Sequence, residues 1–332
     1  IASGSCGAGI DGSVSGAAGG VWSGGGGSFS PNSSTLSTTY TPTAAEIASR
    51  SVTLVLSSVG NGTCNAVTDQ ATWTFTPGPT ANAGPDQVLC ANNATAALAG
   101  GFTIGTGAIW SGGSGSFDPS TTNMSAIYTP TTAEISSGSV TLTLTTTGNG
   151  SCLAGTDQVV LSFTPAPTVD AGPDASACAN NADIHLNGAV TVATGGIWSG
   201  GAGSFTPNNT TLNATYTPTS SEIAAGTLTL TLTTTGAGNC TPVADSRTIT
   251  FTPAPIVDAG TNGTVCANAN TIHLNGSVIG ATGGVWSGGG GIYSPNNITL
   301  NADYVPSAAE ITAGTVTLTL TSAGNGLCSP VT

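Results

Sequence analysis

The chain has 332 residues, of which only 5% are charged: two Arg and no Lys stand against 15 Asp and Glu, for a formal net charge of −13. Nucleic acids and anionic membrane surfaces attract clustered cations, so this composition argues against both as partners. No apolar run approaches the ~20 residues of a membrane helix, so we expect no membrane-embedded part in this segment. Alternating aliphatic residues distinguish the chain from a disordered linker despite its 49 Gly.

Four near-copies of one sequence fill the chain, and we call them repeats. The clearest markers are four of its five tryptophans, spaced 88 residues apart: Trp22, Trp110, Trp198 and Trp286. A fixed period of this length indicates a tandem array of modules. We expect four domains, at residues 1–78, 79–166, 167–254 and 255–332. The first is expected to be truncated at its N-terminus and the last at its C-terminus, as in an excerpt from a longer repetitive protein.

Repeat three shows the predicted elements in chain order. Residues 170–177 and 184–190 predict the first strands, and the glycine-rich stretch after Trp198 predicts a hairpin turn. Residues 227–235 alternate Leu with Thr, which is typical of a strand with one buried face, and residues 245–251 predict a returning strand. About seven short strands per repeat favour an all-β fold: four Ig-like antiparallel β-sandwich domains in tandem.

A short helical turn precedes the regular strand of each repeat. In the stretch TSSEIAAG of repeat three, a Thr stands three residues before a Glu, which predicts a helix N-cap. The equivalent acids are Glu46, Glu134, Glu222 and Glu310. Capping accounts for all four, whereas a catalytic role would need a partner carboxylate at a matching position. The linkers carry paired prolines, which favour extended geometry and predict an elongated rod.

Eight cysteines occur two per repeat: Cys6 and Cys64, Cys90 and Cys152, Cys178 and Cys240, Cys266 and Cys328. An even count at a repeating spacing indicates structural disulfides in an oxidising compartment. A zinc site would need cysteine or histidine ligands closer to one another in sequence. Pairing within repeats closes loops of 58 or 62 residues and leaves no cysteine over. Pairing across the linkers would join cysteines 26 residues apart and leave Cys6 and Cys328 unpaired. We therefore expect pairs within repeats, such as Cys90 with Cys152.

The order Cys, Trp, Cys resembles that of an immunoglobulin-type domain, in which the Trp packs in the core against the disulfide. The resemblance implies a core position for the four repeated tryptophans. One departure is that Cys240 follows its strand, in the turn GAGNC, where the family has the second Cys inside the strand. We therefore expect the bridge at one end of the sandwich.

The chain also resembles a family of surface proteins in its sequence motifs: DAGPDASAC and TANAGPDQVLC, repeats that end in GNGxC, and FTPAP linkers. They are similar to the Ig-like and PKD-like repeats of giant cell-surface adhesins of Bacteroidetes, such as SprB-like gliding-motility adhesins and other substrates of type IX secretion. The resemblance covers essentially the whole chain. It implies export across the outer membrane and extracellular display at the cell surface.

The sequence therefore predicts a structural stalk segment that extends a distal binding region, with no enzymatic activity, no catalytic residue and no cofactor. Its expected partners are other domains of the same long chain. One alternative is a self-assembling filament whose subunits supply the missing strand of repeat four. Another is a glycan-binding array through exposed Trp side chains. Calcium at domain junctions, on Asp170 and Asp174, is a further alternative to a metal-free chain.

Overall fold

The computed structural model describes residues 8–150 and 152–332. Repeat one contains β1 (Ala8–Asp11), β2 (Gly19–Ser23), β3 (Ser28–Ser30), β4 (Ser37–Thr41), α1 (Ala44–Ser49), β5 (Ser51–Val59) and β6 (Thr68–Thr74). Repeat two contains β7 (Thr80–Asn82), β8 (Gln87–Cys90), β9 (Ala96–Ala97), β10 (Gly101–Thr103), β11 (Gly107–Ser111), β12 (Ser116–Asp118), β13 (Ile127–Thr129), α2 (Thr132–Ser137), β14 (Ser139–Thr147) and β15 (Thr156–Thr164).

The same order continues in the second half of the chain. Repeat three contains β16 (Thr168–Asp170), β17 (Ala175–Cys178), β18 (Ile184–His185), β19 (Ala189–Thr191), β20 (Gly195–Ser199), β21 (Ser204–Thr206), β22 (Thr215–Thr217), α3 (Ser220–Ala225), β23 (Thr227–Thr235) and β24 (Ala244–Thr252). Repeat four contains β25 (Ile256–Asp258), β26 (Ile272–His273), β27 (Ser277–Ile279), β28 (Gly283–Ser287), β29 (Ile292–Ser294), β30 (Asp303–Val305), α4 (Ala308–Ala313) and β31 (Thr319–Ala323).

The described residues form two compact bodies. The first takes residues 8–87, 96–134 and the described part of 139–161, and the second takes 88–95, 135–138 and 162–332. The first body therefore holds repeat one and most of repeat two, and the second holds repeats three and four. The division into four domains stays a prediction.

In the second body, repeat three forms a complete two-sheet sandwich. Its strands make a four-stranded sheet in the order β17-β24-β23-β20 and a three-stranded sheet in the order β18-β22-β21. Between them lies a core in which Trp198, Tyr216 and Leu230 have no solvent exposure. The alternation of Leu and Thr in β23 places Leu in this core, because successive side chains of a strand point to opposite faces. The predicted all-β sandwich fold is confirmed.

Three details of the strand prediction are wrong. The predicted first strand divides into β16 and β17, which join different sheets, and the second divides into β18 and β19. β17 pairs with β24 in parallel, as an exception to the antiparallel pattern. The glycine-rich turn after Trp198 makes no hairpin, because β20 pairs with β23 whereas β21 pairs with β22. The turn carries the chain from one sheet to the other.

The first body uses the same packing. In repeat one, the sheets β1-β4-β3 and β2-β5-β6 enclose Trp22, Tyr40 and Leu54. In repeat two, β11 pairs with β14 so that Trp110 lies opposite Leu144. In both bodies, the repeated Trp therefore lies opposite a Leu of a strand with alternating aliphatic residues.

Glycine is required where the chain crosses between sheets. Gly200 and Gly201 have φ of 85° and 75°, which L-residues with a Cβ rarely adopt. A Cβ on Gly201 would collide with the Tyr216 hydroxyl and the Glu222 carboxylate. The Tyr216 hydroxyl donates to Glu222 Oε1 at 2.8 Å and accepts the N–H of Gly203 at 2.8 Å. The crossover therefore rests directly on these two side chains.

Glu222 also caps α3. Its carboxylate accepts the backbone N–H of Thr219 at 2.7 Å, while the Thr219 hydroxyl accepts the N–H of Glu222, so the two residues form the expected capping box. Burial opposes ionisation of Glu222, but hydrogen bonds from the N–H groups of Thr219 and Ala202 and from nearby hydroxyls lower its pKa to about 2. Burial, together with Glu222, raises the pKa of Tyr216 to about 12. One carboxylate thus holds both the helix and the crossover.

We expect acid to weaken this cap. Because the folded pKa of about 2 lies below the ordinary 4.5, the stabilisation is fully present above pH 4.5 and is lost as the pH falls toward 2. Glu222→Gln is expected to lower the free energy of unfolding by about 1 kcal/mol at pH 7 and by much less near pH 2. Urea unfolding followed by tryptophan fluorescence measures both values.

Asp11→Asn, which changes an exposed carboxylate, is the control and should have little effect at either pH. An equal loss at both pH values in Glu222→Gln would contradict the role of the ionised carboxylate.

Candidate functional site

The cysteines form bridges between successive repeats. Cys90 bonds Cys240, with an S–S distance of 2.06 Å and a Cα–Cα distance of 5.0 Å. Cys178 bonds Cys328, with distances of 1.93 Å and 4.9 Å. Each bond spans 150 residues and joins the first cysteine of one repeat to the second cysteine of the next. The expected pairing within repeats, Cys90 with Cys152, is wrong.

The length of the closing strand explains this pairing. Cys178 is the last residue of β17 and lies beside Thr252, the last residue of β24. Cys240 lies in the turn before the first residue of that nine-residue strand. The two cysteines of repeat three are therefore separated by about 27 Å or more along β24. A disulfide needs Cα atoms within about 7 Å, so each cysteine can be bridged only by a neighbouring repeat.

Two asparagine side chains clamp each bridge. Asn92 Nδ2 donates to the carbonyl of Thr241 at 2.9 Å, and its Oδ1 accepts the Thr241 N–H at 3.1 Å. Asn93 Nδ2 donates to the carbonyl of Asn239 at 3.2 Å. Both asparagines bind backbone groups on the far side of the bridge, and Asn239 Nδ2 donates in return to the carbonyl of Val88 at 3.3 Å. The two asparagines therefore bind the turn around the second cysteine through its backbone.

The second bridge has the same clamp. Asn180 exchanges hydrogen bonds of 3.0 and 3.1 Å with the backbone of Ser329, and Asn181 Nδ2 donates to the carbonyl of Leu327 at 3.5 Å. The linker joins this arrangement, because the carbonyl of Pro253 lies 3.9 Å from Cys178 Sγ and 3.6 Å from Cys328 Sγ. We call this arrangement a junction: it consists of the disulfide Cys178–Cys328, the side chains of Asn180 and Asn181, and the proline linker at Pro253.

The asparagine pair was missed by the sequence predictions, although a signal for it is present. The first cysteine opens the stretch Cys-Ala-Asn-Asn at residues 90–93 and again at 178–181, and Cys-Ala-Asn-Ala at 266–269. Because Asn is common throughout this chain, its recurrence after the first cysteine does not by itself indicate a structural role. Its role depends on the partner backbone, which is 146 to 149 residues away in sequence.

The other described cysteines form no disulfide with another described residue. Cys64 and Cys266 are exposed and Cys152 is half-buried. Cys152 Sγ lies 3.6 Å from the Thr76 hydroxyl, and the bonded Cys328 lies 4.0 Å from the equivalent Thr252 hydroxyl. Cys152 thus occupies the second-cysteine position of a junction. Cys6, the first cysteine of repeat one, is outside the described residues.

The repeated tryptophans are buried in the sandwiches. Trp110 and Trp286 are 1% exposed, Trp198 is fully buried and Trp22 is 6% exposed. The ring N–H of Trp198 donates to the carbonyl of Leu212 at 3.1 Å. These rings offer no face for a sugar, so the geometry gives no support to a glycan-binding array.

The remaining candidate residues have structural hydrogen bonds. Asp170 accepts the N–H of Gly172 at 2.7 Å, and Asp174 accepts the N–H of Thr248 at 2.7 Å. His185 bonds the Thr215 hydroxyl opposite it on the neighbouring strand. The residues that the structure describes include no cluster of three or more His, Cys, Asp or Glu that could hold a metal. Among those same residues, no helix is long and apolar enough to cross a membrane.

No family model and no curated protein matches the chain. Among solved structures, it is similar to extracellular cadherin domains 3–6 of protocadherin gamma B2, with 12% identity over 98% of this chain and 92% of that one and a TM-score of 0.32. It is also similar to sidekick-1 immunoglobulin domains 1–5, with 12% identity, coverage of 92% and 71% and a TM-score of 0.30. A titin fragment of three Ig domains has 11% identity, coverage of 70% and 87% and a TM-score of 0.35. At these values the likeness assigns the chain to no family.

The order of the two observed bridges predicts a third, between Cys6 of repeat one and Cys152 of repeat two. Trypsin can cut this chain only after Arg50 and Arg247, and the non-reduced digest should therefore yield one linked species. Cys178–Cys328 holds residues 248–332 to the middle fragment, and Cys6–Cys152 holds residues 1–50. Mass spectrometry of the denatured digest measures this linkage.

Two serine variants identify the partner of Cys6. Cys152→Ser should release residues 1–50 from the digest, whereas Cys64→Ser should leave them attached. The opposite result would mean that repeat one closes on itself. Release of residues 248–332 from the unmodified chain would contradict the bridge between repeats three and four.

Proposed function

We propose that the chain is a stalk segment of a bacterial cell-surface adhesin, which holds a distal binding region away from the cell. The observation that carries this proposal is that disulfides join successive repeats. A peptide linker and a disulfide together give two covalent connections at a junction, which restrict bending more than a linker alone. Disulfides persist in oxidising compartments, which supports a location outside the cell. The sequence motifs of the repeats, such as DAGPDASAC and the FTPAP linker, support a type IX-secreted adhesin of Bacteroidetes.

The two bridges also overlap along the chain. One loop runs from Cys90 to Cys240 and the other from Cys178 to Cys328, so residues 178–240 belong to both. Under tension, the shortest covalent path runs to residue 90, crosses to 240, returns to 178 and crosses to 328. That path contains about 160 residues out of 332. Even a fully unfolded chain can then extend only about half as far.

Single-molecule stretching between the two termini tests this proposal. In the Cys152→Ser variant, which keeps the two observed bridges and cannot form the predicted third one, the unfolded chain should reach about 540 Å, against about 1,100 Å after reduction, at ~3.4 Å per residue. Cys64→Ser removes a free thiol and no observed bridge, so its oxidised extension should equal that of the unmodified chain. An oxidised chain that extends as far as the reduced chain would sink the proposal, because its bridges would carry no tension.

A filament subunit is the second candidate, and the sheet of repeat four favours it. There β28 pairs only with β31 among the described strands, whereas the equivalent sheet of repeat three has four strands. Val316 and Leu318 are half-buried, although the equivalent Leu228 and Leu230 are 8% and 0% exposed. Val316 also lines a groove of about 370 Å³, together with Ile272 and Ile311. An extended strand from another molecule could fill it.

A peptide of residues 155–165 probes the groove. It includes β15, whose Val159 and Leu161 are fully buried in repeat two. A filament subunit should bind this labelled peptide saturably in fluorescence anisotropy, and the same peptide with Leu161→Asn should bind at least tenfold more weakly. Equal binding of both peptides, or of neither, would rule out strand complementation at this edge.

A further inference from the structure

The residue before the second cysteine gives the two described junctions different hydrogen bonds. At the Cys90–Cys240 bridge this residue is Asn239, whose Nδ2 donates to the carbonyl of Val88 at 3.3 Å on the other side of the junction. At the Cys178–Cys328 bridge the same position holds Leu327, which has no side-chain donor. The four repeats carry four different residues at this position: Thr63, Ser151, Asn239 and Leu327. The position therefore varies between junctions, whereas the cysteines do not.

The clamping asparagines also bind more closely at one bridge than at the other. Asn92 and Asn180 each exchange two hydrogen bonds with the opposite backbone, at 2.9 and 3.1 Å and at 3.0 and 3.1 Å respectively. The asparagine that follows donates at 3.2 Å from Asn93 but at 3.5 Å from Asn181. Because N–H···O bonds usually measure about 2.7–3.2 Å, the last of these is weak. The Cys90–Cys240 bridge therefore has the stronger set of hydrogen bonds.

Asn92 contacts both halves of its junction. Its Oδ1 accepts the N–H of Thr241 and also lies 3.1 Å from Cys90 Sγ. An amide side chain carries an acceptor and two donors, so it can bind both polar groups of a peptide residue at once. Asn92 therefore holds the turn around Cys240 beside the sulfur of Cys90.

These hydrogen bonds must affect the disulfide, because both hold the same two segments together. Cys90 and Cys240 are 150 residues apart, and closing a loop of that length costs conformational entropy. Contacts that keep the two segments together raise the effective concentration of one thiol at the other. A higher effective concentration shifts the thiol–disulfide equilibrium toward the bond. Stronger hydrogen bonds across a junction therefore make its disulfide harder to reduce.

We propose that the asparagines at each junction are positioning residues that set how readily its disulfide is reduced. Asn92 and Asn93 hold the turn around the second cysteine, and the residue before that cysteine adjusts the strength of the attachment. Asn239 strengthens the attachment, whereas Leu327 adds no hydrogen bond to it. Bridges with different residues at this position open at different concentrations of reductant, so the junctions form a graded redox switch. This inference goes beyond the proposed stalk and does not depend on it.

Reduction proceeds by thiol–disulfide exchange with a small thiol such as glutathione. A glutathione thiolate attacks Cys240 Sγ, forms a mixed disulfide and releases the Cys90 thiolate. A second glutathione thiolate attacks the glutathione sulfur of the mixed disulfide and releases the Cys240 thiolate. Two cysteine sulfurs are reduced and two glutathiones are oxidised to one disulfide, while the two glutathione protons pass to the protein thiolates. The reverse sequence forms the bond again.

The test equilibrates the full chain in glutathione redox buffers. Acid quenching, alkylation of free thiols, digestion with pepsin and mass spectrometry give the oxidised fraction of each bridge. To prevent exchange with other thiols, Ser replaces the four cysteines outside the two bridges: Cys6, Cys64, Cys152 and Cys266.

Removal of the clamp at one bridge tests its effect. Asn92→Ala with Asn93→Ala removes three hydrogen bonds and should lower the effective concentration at Cys90–Cys240 about tenfold or more. The value at Cys178–Cys328 should stay unchanged, as an internal control. Asn213→Ala, at an exposed residue of repeat three, should change neither value. An equal fall at both bridges would show a general loss of stability and would overturn the proposal.

A reciprocal exchange tests the position before the second cysteine. Asn239→Leu should lower the effective concentration at Cys90–Cys240 about threefold, and Leu327→Asn should raise it at Cys178–Cys328 by a similar factor. Both positions are exposed, so neither exchange disturbs a core, and each bridge is compared only with itself. Unchanged values in the clamp variant or in the exchange would overturn the proposal. None of these outcomes alters the stretching result, which compares fully oxidised with fully reduced chains.

Discussion

The parallel pairing of β17 with β24 decides where the cysteines of a repeat lie. It places Cys178 beside the last residue of a nine-residue strand, while Cys240 lies in the turn before its first residue. Each complete sandwich therefore carries one cysteine at each end. A bond between them would have to span the length of the sandwich, so covalent closure within a repeat is excluded by geometry and closure with a neighbour becomes the available chemistry.

Carboxylates and amides serve as hydrogen-bond partners of the backbone in this weakly charged protein. Glu222 accepts N–H groups from a helix start and from a crossover, Asp245 accepts the N–H of Ala171, and Asn92 binds both polar groups of Thr241. With two Arg and no Lys, ion pairs have few cations to draw on. Buried or half-buried backbone groups must still find partners, and these side chains supply them. Order at turns and junctions is achieved with little contribution from ion pairing.

Disulfides between repeats constrain both the unfolded chain and its length under tension, which a single sandwich without them would not do. The two bridges close loops of 150 residues, which overlap because repeat three takes part in both bonds. Loop closure of this length constrains the unfolded chain by about 5 kcal/mol per bond in the chain-entropy model. The same overlap shortens the covalent path between the ends of the chain. In the proposed stalk, the first effect would act before a repeat unfolds and the second after it.

The period of the sequence by itself determined the repeat unit, the β class and the regular strand of each repeat. Strand 227–235 and the helix cap at Glu222 are local features, because a two-residue alternation and a three-residue spacing are set by neighbouring residues. The partner of each cysteine was decided only by the tertiary structure. Spacing along the chain shows that two cysteines belong to one repeat, but the ends of the sandwich on which they lie depend on strand order and direction. The division of 170–177 into two strands, the crossover after Trp198 and the asparagine clamp depend on the same long-range pairing, which no local pattern encodes.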